Sequence, residues 1–327
     1  MPPFITGISS LNFTSKFRFG KQGLLTIIAG GYIGSPNYHP NLTSKYDSVL
    51  SSYTTLTTMT AERTMGCTGT IPNELYVIGG RFYSSSPTTW TNRVEKLTLS
   101  SNSWSTKTSY PVNIDQSRSG TIDDNVYVFG GFTGSGSYFS ASTNQYNTTS
   151  NSWSSKSSLP SGTYVAQGSA LGGYVWNLKG TTSTVGANDY VSHAVQYNPS
   201  VNSWTNKASD GTYKSGQGVH MNDFDQRLYV VGGWSGDNSS AFGFNNNISA
   251  TRIYNITTNS WSSASTLPSG GTRGINGAGN EENNGVLVGG YTSSYINKTQ
   301  VYNYISNAWS TGTNYSYNIG FVDAGSV

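Results

Sequence analysis

The imidazole and thiol groups that most often carry covalent, acid–base or metal chemistry number four in this chain of 327 residues: His39, His193, His220 and Cys67. They lie far apart in unlike settings, with Cys67 inside the segment RTMGCTG. No Cys-x-x-Cys pair and no Cys/His spacing suited to zinc occurs, and a single cysteine forms no internal disulfide. Carboxylates pair at Asp123 with Asp124, Asp223 with Asp225 and Glu281 with Glu282. A catalytic pair needs burial and a cleft to shift its pKa; tight turns use Asp for its bonds to nearby backbone, and the turn is the expectation here. The sequence holds no nucleophile elbow, phosphate loop or HExxH motif. These residues predict no catalytic centre, no bound metal and no cofactor, so the expectation is a protein that is not an enzyme.

The elements that would position any site must come from an unusual composition. Only 10% of residues are charged and the net charge is +3, with no cluster of Lys or Arg, so a nucleic-acid footprint is absent. Ser, Thr, Asn and Gly supply roughly half of the chain and aromatics 13%, a mixture that favours strands and turns over helices. The first residues contain no apolar region of signal-peptide length, and LLTIIA is far too short to span a bilayer. The expectation is no export by a signal peptide and no membrane insertion. Eight Asn-x-Ser/Thr sequons begin at Asn12, Asn41, Asn147, Asn238, Asn247, Asn255, Asn297 and Asn314, about the number that chance gives at this composition.

A repeat organises the rest. An apolar run closes on a glycine pair at Gly30–Gly31, Gly79–Gly80, Gly130–Gly131, Gly232–Gly233 and Gly289–Gly290, and YVWNLKG ends on a degenerate sixth with Lys179 before Gly180. Downstream, a Tyr or Leu precedes a Trp by seven residues: Leu97 and Trp104, Tyr146 and Trp153, Tyr197 and Trp204, Tyr254 and Trp261, Tyr302 and Trp309, with Tyr46 and Tyr53 keeping the spacing in the first unit. From the second glycine to that Tyr or Leu the distance varies between 12 and 21. A fixed offset is what a tight hairpin demands, because its turn sets the register; the variable stretch is a surface loop.

Each unit therefore reads as four short strands at a spacing of 48 to 57 residues. The doubled glycine, the Tyr and the Trp beyond it resemble the kelch motif over nearly the whole chain from about Leu24. The resemblance implies an all-β fold, a six-bladed kelch-type β-propeller with four-stranded blades over residues 21–327, its ring closed by a C-terminal strand from NYSYNIGFVDAGSV pairing with LLTIIAGG. Residues 1–20, with Phe13, Phe17 and Phe19 near Lys16 and Arg18, are left as an arm or as an outer strand of the first blade.

Kelch propellers are similar to the copper radical oxidases of the galactose oxidase family, but the scattered histidines and Cys67 do not supply that ligand set, and no sialidase-type Ser-x-Asp-x-Gly-x-Thr-Trp box occurs. Arg63, Arg118 and Arg273, with Lys214 and Tyr164 in related places, recur before the inner strands; they are either an anion-binding ring or, as Arg in a kelch blade implies, structural groups bonding neighbouring backbone. Trp104, Trp153, Trp204, Trp261 and Trp309 recur in the blades and are expected to pack the fold. The loops after the glycine pairs mix aromatics with Ser, Asn and Gly, the chemistry of contact surfaces. Their candidate binding residues are Phe82, Tyr83, Trp90, Tyr138, Phe139, Trp234, Phe242 and Phe244. Composition resembles bacteriophage fibre and decoration proteins. The expected function is a structural or recognition protein of a bacteriophage or virus particle, located in the virion, with other particle proteins as partners and a host surface glycan or receptor as a further one. The alternative is a cell-derived, extracellular or cell-surface propeller that binds carbohydrate or protein.

Overall fold

The computed structural model describes residues 25–327 except 34–39, 83–88, 134–138, 183–191, 213–214, 235–246, 269, 273–277 and 282. The arm at 1–20 lies outside the described residues. No helix occurs among those described, and six antiparallel four-stranded sheets form the blades.

From the axis outward, blade 1 runs Asp323–Ser326, Thr26–Ala29, Thr43–Asp47, Ser52–Leu56, and blade 2 Cys67–Ile71, Glu74–Ile78, Val94–Thr98, Ser103–Lys107. Blade 3 is Arg118–Ile122, Asn125–Phe129, Thr143–Asn147, Ser152–Lys156, and blade 4 Gln167–Leu171, Tyr174–Leu178, His193–Asn198, Ser203–Ser209. Blade 5 is Gly218–Asn222, Arg227–Val231, Thr251–Asn255, Ser260–Ala264, and blade 6 Ala278–Glu281, Asn284–Val288, Thr299–Asn303, Ala308–Thr311. The ring closes as the repeat implies: Ala324 stands opposite Ile28, so the C-terminal strand covers the inner edge of blade 1. One addition to the expected pattern is a short ribbon after Gly80, in which Arg81–Phe82 pairs with Thr89–Trp90.

The second strands read as continuous apolar runs, such as LYVI and VYVF, because both faces meet a neighbouring blade. Between blades 2 and 3, for instance, Tyr76, Ile78 and Val94 pack with Tyr110, Val126, Val128 and Tyr146.

The glycine pairs stitch each blade to the next. Gly79 has a φ of +65°, and a Cβ there would lie 2.5 Å from the Ile114 carbonyl of blade 3. That carbonyl accepts the Gly80 N–H at 2.8 Å. Gly31, Gly131, Gly233 and Gly290 make the same bond to Arg63, Thr163, Thr272 and Ile319. The first glycine clears the space in which the second makes its bond. Blade 4 departs from this rule: Lys179 keeps the left-handed φ of 60°, and its buried Nζ reaches the Thr212 carbonyl at 3.0 Å and Asp210 Oδ1 at 2.6 Å.

A second device works at the rim in the opposite direction. The residue two before each blade tryptophan is an asparagine in the left-handed region (Asn102, Asn151, Asn202, Asn259 and Asn307), a conformation its short side chain tolerates. Asn102 Oδ1 accepts the Thr57 N–H of the preceding blade at 2.9 Å, while Trp104 Nε1 donates to the Thr57 carbonyl at 2.8 Å. One residue's amide and carbonyl are thus held by one turn. The clamp recurs with Asn151 and Trp153 on Thr108, Asn202 and Trp204 on Ser157, and Asn259 and Trp261 on Ala208. The hydroxyls of Tyr146, Tyr197 and Tyr254 donate to the same asparagine oxygens.

Candidate functional site

Two regions gather side chains beyond what the scaffold needs, one on the face where the post-glycine loops rise and one on the axis.

On the loop face, the residue directly after the glycine pair bridges to the segment entering the inner strand: Tyr32 with Gly320, Arg81 with Thr64, Phe132 with Asp115, Thr181 with Tyr164, and Trp234 with Ser215. Several are aromatic, and the structure brings them to the sequence-predicted contact residues. Trp90 lies 5.6 Å from Phe132, Phe132 6.1 Å from Tyr164, and Phe139 5.0 Å from Tyr164, ring centre to ring centre. Tyr164 and Val165 continue the cluster to Trp234 in blade 5. Gly216 is the floor under that indole: a Cβ would fall 1.7 Å from the Trp234 ring. Phe82 is half-buried in the short ribbon. Tyr83, Tyr138, Phe242 and Phe244 lie outside the described residues. Phe132, half-buried, completes the row and was missed as a contact residue, the aromatic immediately after the glycines being its signal; Tyr164 and Trp234 are 6% and 4% exposed, so Trp234, expected as a contact residue, is instead a packing group that supports the row from below.

Beneath this row lie buried charges. Arg81 Nε stands 2.6 Å from Asp115 Oδ2, and burial still pushes the Asp115 carboxyl up to about 6 against the pull of that guanidinium. Arg63 and Arg118 do not occupy equivalent positions. Arg63 precedes its inner strand, pairs with Glu95 and donates to the Val77, Gly79 and Arg93 carbonyls, which is a structural role. Arg118 opens its inner strand and donates to the Ala166 carbonyl at 2.6 Å and the Ser117 carbonyl at 2.8 Å. Arg273 and Lys214 lie outside the described residues.

The axis holds a cavity of about 610 Å³ between the inner strands of blades 1 to 5. Its deep end is set by register. Asp323, Cys67, Arg118, Gln167 and Gly218 each open an inner strand and each face the residue just before the glycine position: Ala29, Ile78, Phe129, Leu178 and Val231. The first four line the cavity and are all buried, whereas Pro72, Asn73 and Asp123 at its other end are exposed. The cavity therefore opens on the face opposite the post-glycine loops. Burial pushes Asp323 up to about 7, against the Arg63 and Arg118 guanidiniums and the Gly66 amide, and pushes the Cys67 thiol up to about 11. A thiol held there is mostly protonated and a poor nucleophile at neutral pH.

The histidines stay apart. His193 sits in the third strand of blade 4, while His220 is 1% exposed inside a box of Tyr229, Tyr302, Tyr304 and Trp309. His39 lies outside the described residues. Asp123 and Asp124 take the exposed turn between the first two strands of blade 3, as expected. Among the described residues no group of three or more His, Cys, Asp or Glu side chains could hold a metal ion, and no helix is long and apolar enough to cross a membrane.

The Kelch motif family model matches residues 62–109, 116–160 and 224–268. These spans fall on blades 2 and 3 and on the outer three strands of blade 5. Among solved structures, the chain is similar to that of YjhT, with a TM-score of 0.70 at 17% identity over 88% of this chain and 97% of that one; this likeness speaks to the fold. A search of curated proteins returns no significant match.

Proposed function

We propose that this chain, a six-bladed kelch-repeat β-propeller, works without catalysis as an assembly or recognition protein of a bacteriophage or virus particle, meeting its partner on the face of the post-glycine loops. Kelch propellers typically mediate contacts between proteins. The observation that carries the reading is the set of half-buried rings Trp90, Phe132 and Phe139 on that one face, seated on the buried rings of Tyr164 and Trp234. Rigid rings set among Ser, Asn and Gly give contact area at little entropic cost. The particle is suggested by the charge-poor, Asn/Ser/Thr/Gly-rich composition, and the absence of catalysis by the separation of His193 from His220.

Mass spectrometry of purified particles tests the location: stoichiometric amounts are expected, and a chain found only in the host-cell fraction sinks the particle reading. The face is tested by F82S together with W90S. Incorporation into particles should fall about tenfold or more with the thermal midpoint little changed; normal incorporation of a folded double variant removes this face from the contact.

A further inference from the structure

The axial cavity plays no part in that contact, yet it is equipped to hold a guest. Asp323 is 2% exposed, and neither carboxylate oxygen accepts a hydrogen bond of full geometry, the Gly66 amide being only near enough to influence its titration. Gln167 is 3% exposed and its Nε2 has no partner. Both line the cavity. Leaving such groups dry and unpaired is costly, so the site demands a molecule that donates to Asp323 and accepts from Gln167.

We infer that this pocket binds a small neutral polyhydroxylated molecule, of the size of a monosaccharide or a cyclic polyol. Its volume of about 610 Å³ falls within the roughly 300 to 1,000 Å³ usual for small-ligand sites. Charge decides among ligand classes. An ammonium seeking Asp323 meets the repulsion of Arg118 and Arg63, and an anion seeking Arg118 meets Asp323 and a guanidinium already bonded to two carbonyls. A hydroxyl donates and accepts with no charge to desolvate. Nearer the opening the lining continues with the hydroxyl residues Thr70, Ser119, Thr121 and Ser169, while Val219 and Met221 offer an aliphatic side for C–H groups.

Calorimetric titration of the full chain with glucose, galactose, mannose and myo-inositol, with potassium phosphate and ethylammonium chloride as anion and cation probes, tests the assignment. At least one polyol should bind one to one, and neither ion should. D323N should weaken that binding about tenfold and Q167A about threefold, with circular dichroism reporting the fold of each. Where D323N does not fold, S169W replaces it, filling the pocket from a half-buried position and abolishing binding. In the unaltered protein the same polyol should slow alkylation of Cys67, the single cysteine, by iodoacetamide severalfold. No heat from any polyol up to about 100 mM, binding of phosphate or ethylammonium in their place, or polyol binding untouched by the substitutions would overturn it.

Discussion

The blade tryptophan joins two energies in one side chain. Trp204 packs beside Tyr197 and Phe129, at 5.1 and 5.2 Å between rings, and its Nε1 holds the Ser157 carbonyl at 3.0 Å. W204A should lower stability by about 3 to 5 kcal/mol, and W204F, which keeps most of the packing and loses the bond, by about 1. Urea denaturation of the pair separates the contributions; an unchanged midpoint for the alanine variant would remove Trp204 from the framework. His220 belongs to the same scale. Burial holds its pKa down at about 3, and its Nδ1 lies 3.0 Å from the Tyr304 hydroxyl. Above pH 6.5 the ring is neutral folded or unfolded; as pH falls from there toward 3 only the unfolded chain takes the proton, so stability drops, by about 3 kcal/mol at pH 4. Asp115 and Asp323, raised to about 6 and 7, work the other way: their contribution is full below pH 4 and fades as pH rises through those values. H220Q should therefore flatten the acid loss in denaturation at pH 6 and pH 4, and equal slopes in variant and parent would exonerate the histidine. The sequence announced Trp204 by its repetition. It gave no sign that His220 was buried, because the aromatic box comes from two blades and only the ring of blades brings it together.

At the scale of the strand and turn, periodicity was a sufficient guide. The offset of seven from Tyr197 to Trp204 is a cross-strand pair in the structure, as the hairpin argument required. What stayed hidden was the reach of the turn: Asn202 reads locally as turn chemistry, and its bond to the Ser157 N–H depends on a neighbour some 45 residues away. The departure at Lys179 was visible and its cause was not. Burial alone would raise the Asp210 carboxyl, but the bonds from Lys179 and Thr212 more than offset this and lower it. Restoring the repeat with K179G relieves about 1 to 2 kcal/mol of left-handed strain and leaves the buried side chain of Asp210 with the Thr212 bonds and with Arg252 at 3.1 Å as its one remaining cation, so a net loss of about 2 kcal/mol is expected. Thermal denaturation checks the sign, and a variant more stable than the parent would show that the glycine stitch outweighs the ion pair.

For the whole molecule, the joint between blades 6 and 1 differs from the others. Ser51 and Tyr53 stand where the other blades carry Asn and Trp; Ser51 Oγ accepts the Thr313 N–H at 3.0 Å, and the Tyr53 hydroxyl meets Thr299 Oγ1 at 2.5 Å. With that lighter clamp, closure leans on the C-terminal strand. A chain ending at residue 322 should lose its single cooperative unfolding transition, because the inner edge of Thr26–Ala29 is then unpaired; a sharp transition at an unchanged midpoint would mean the strand is dispensable. The closure itself was legible from sequence, but the axial pocket was not. Its lining is set by register against the glycine positions, and Asp323, Cys67, Arg118 and Gln167 show no common pattern along the chain. That lack of pattern has a consequence for how the protein can change. Stitches and clamps recur around the ring while the axial residues differ from blade to blade, so a blade folds without reference to the axial side chain across from it. Exchanges at Cys67 and Gly218, three blades apart, are then thermodynamically independent and add to within a few tenths of a kcal/mol. The interior can be rewritten one position at a time, by selection or by design, while the frame stays as it is.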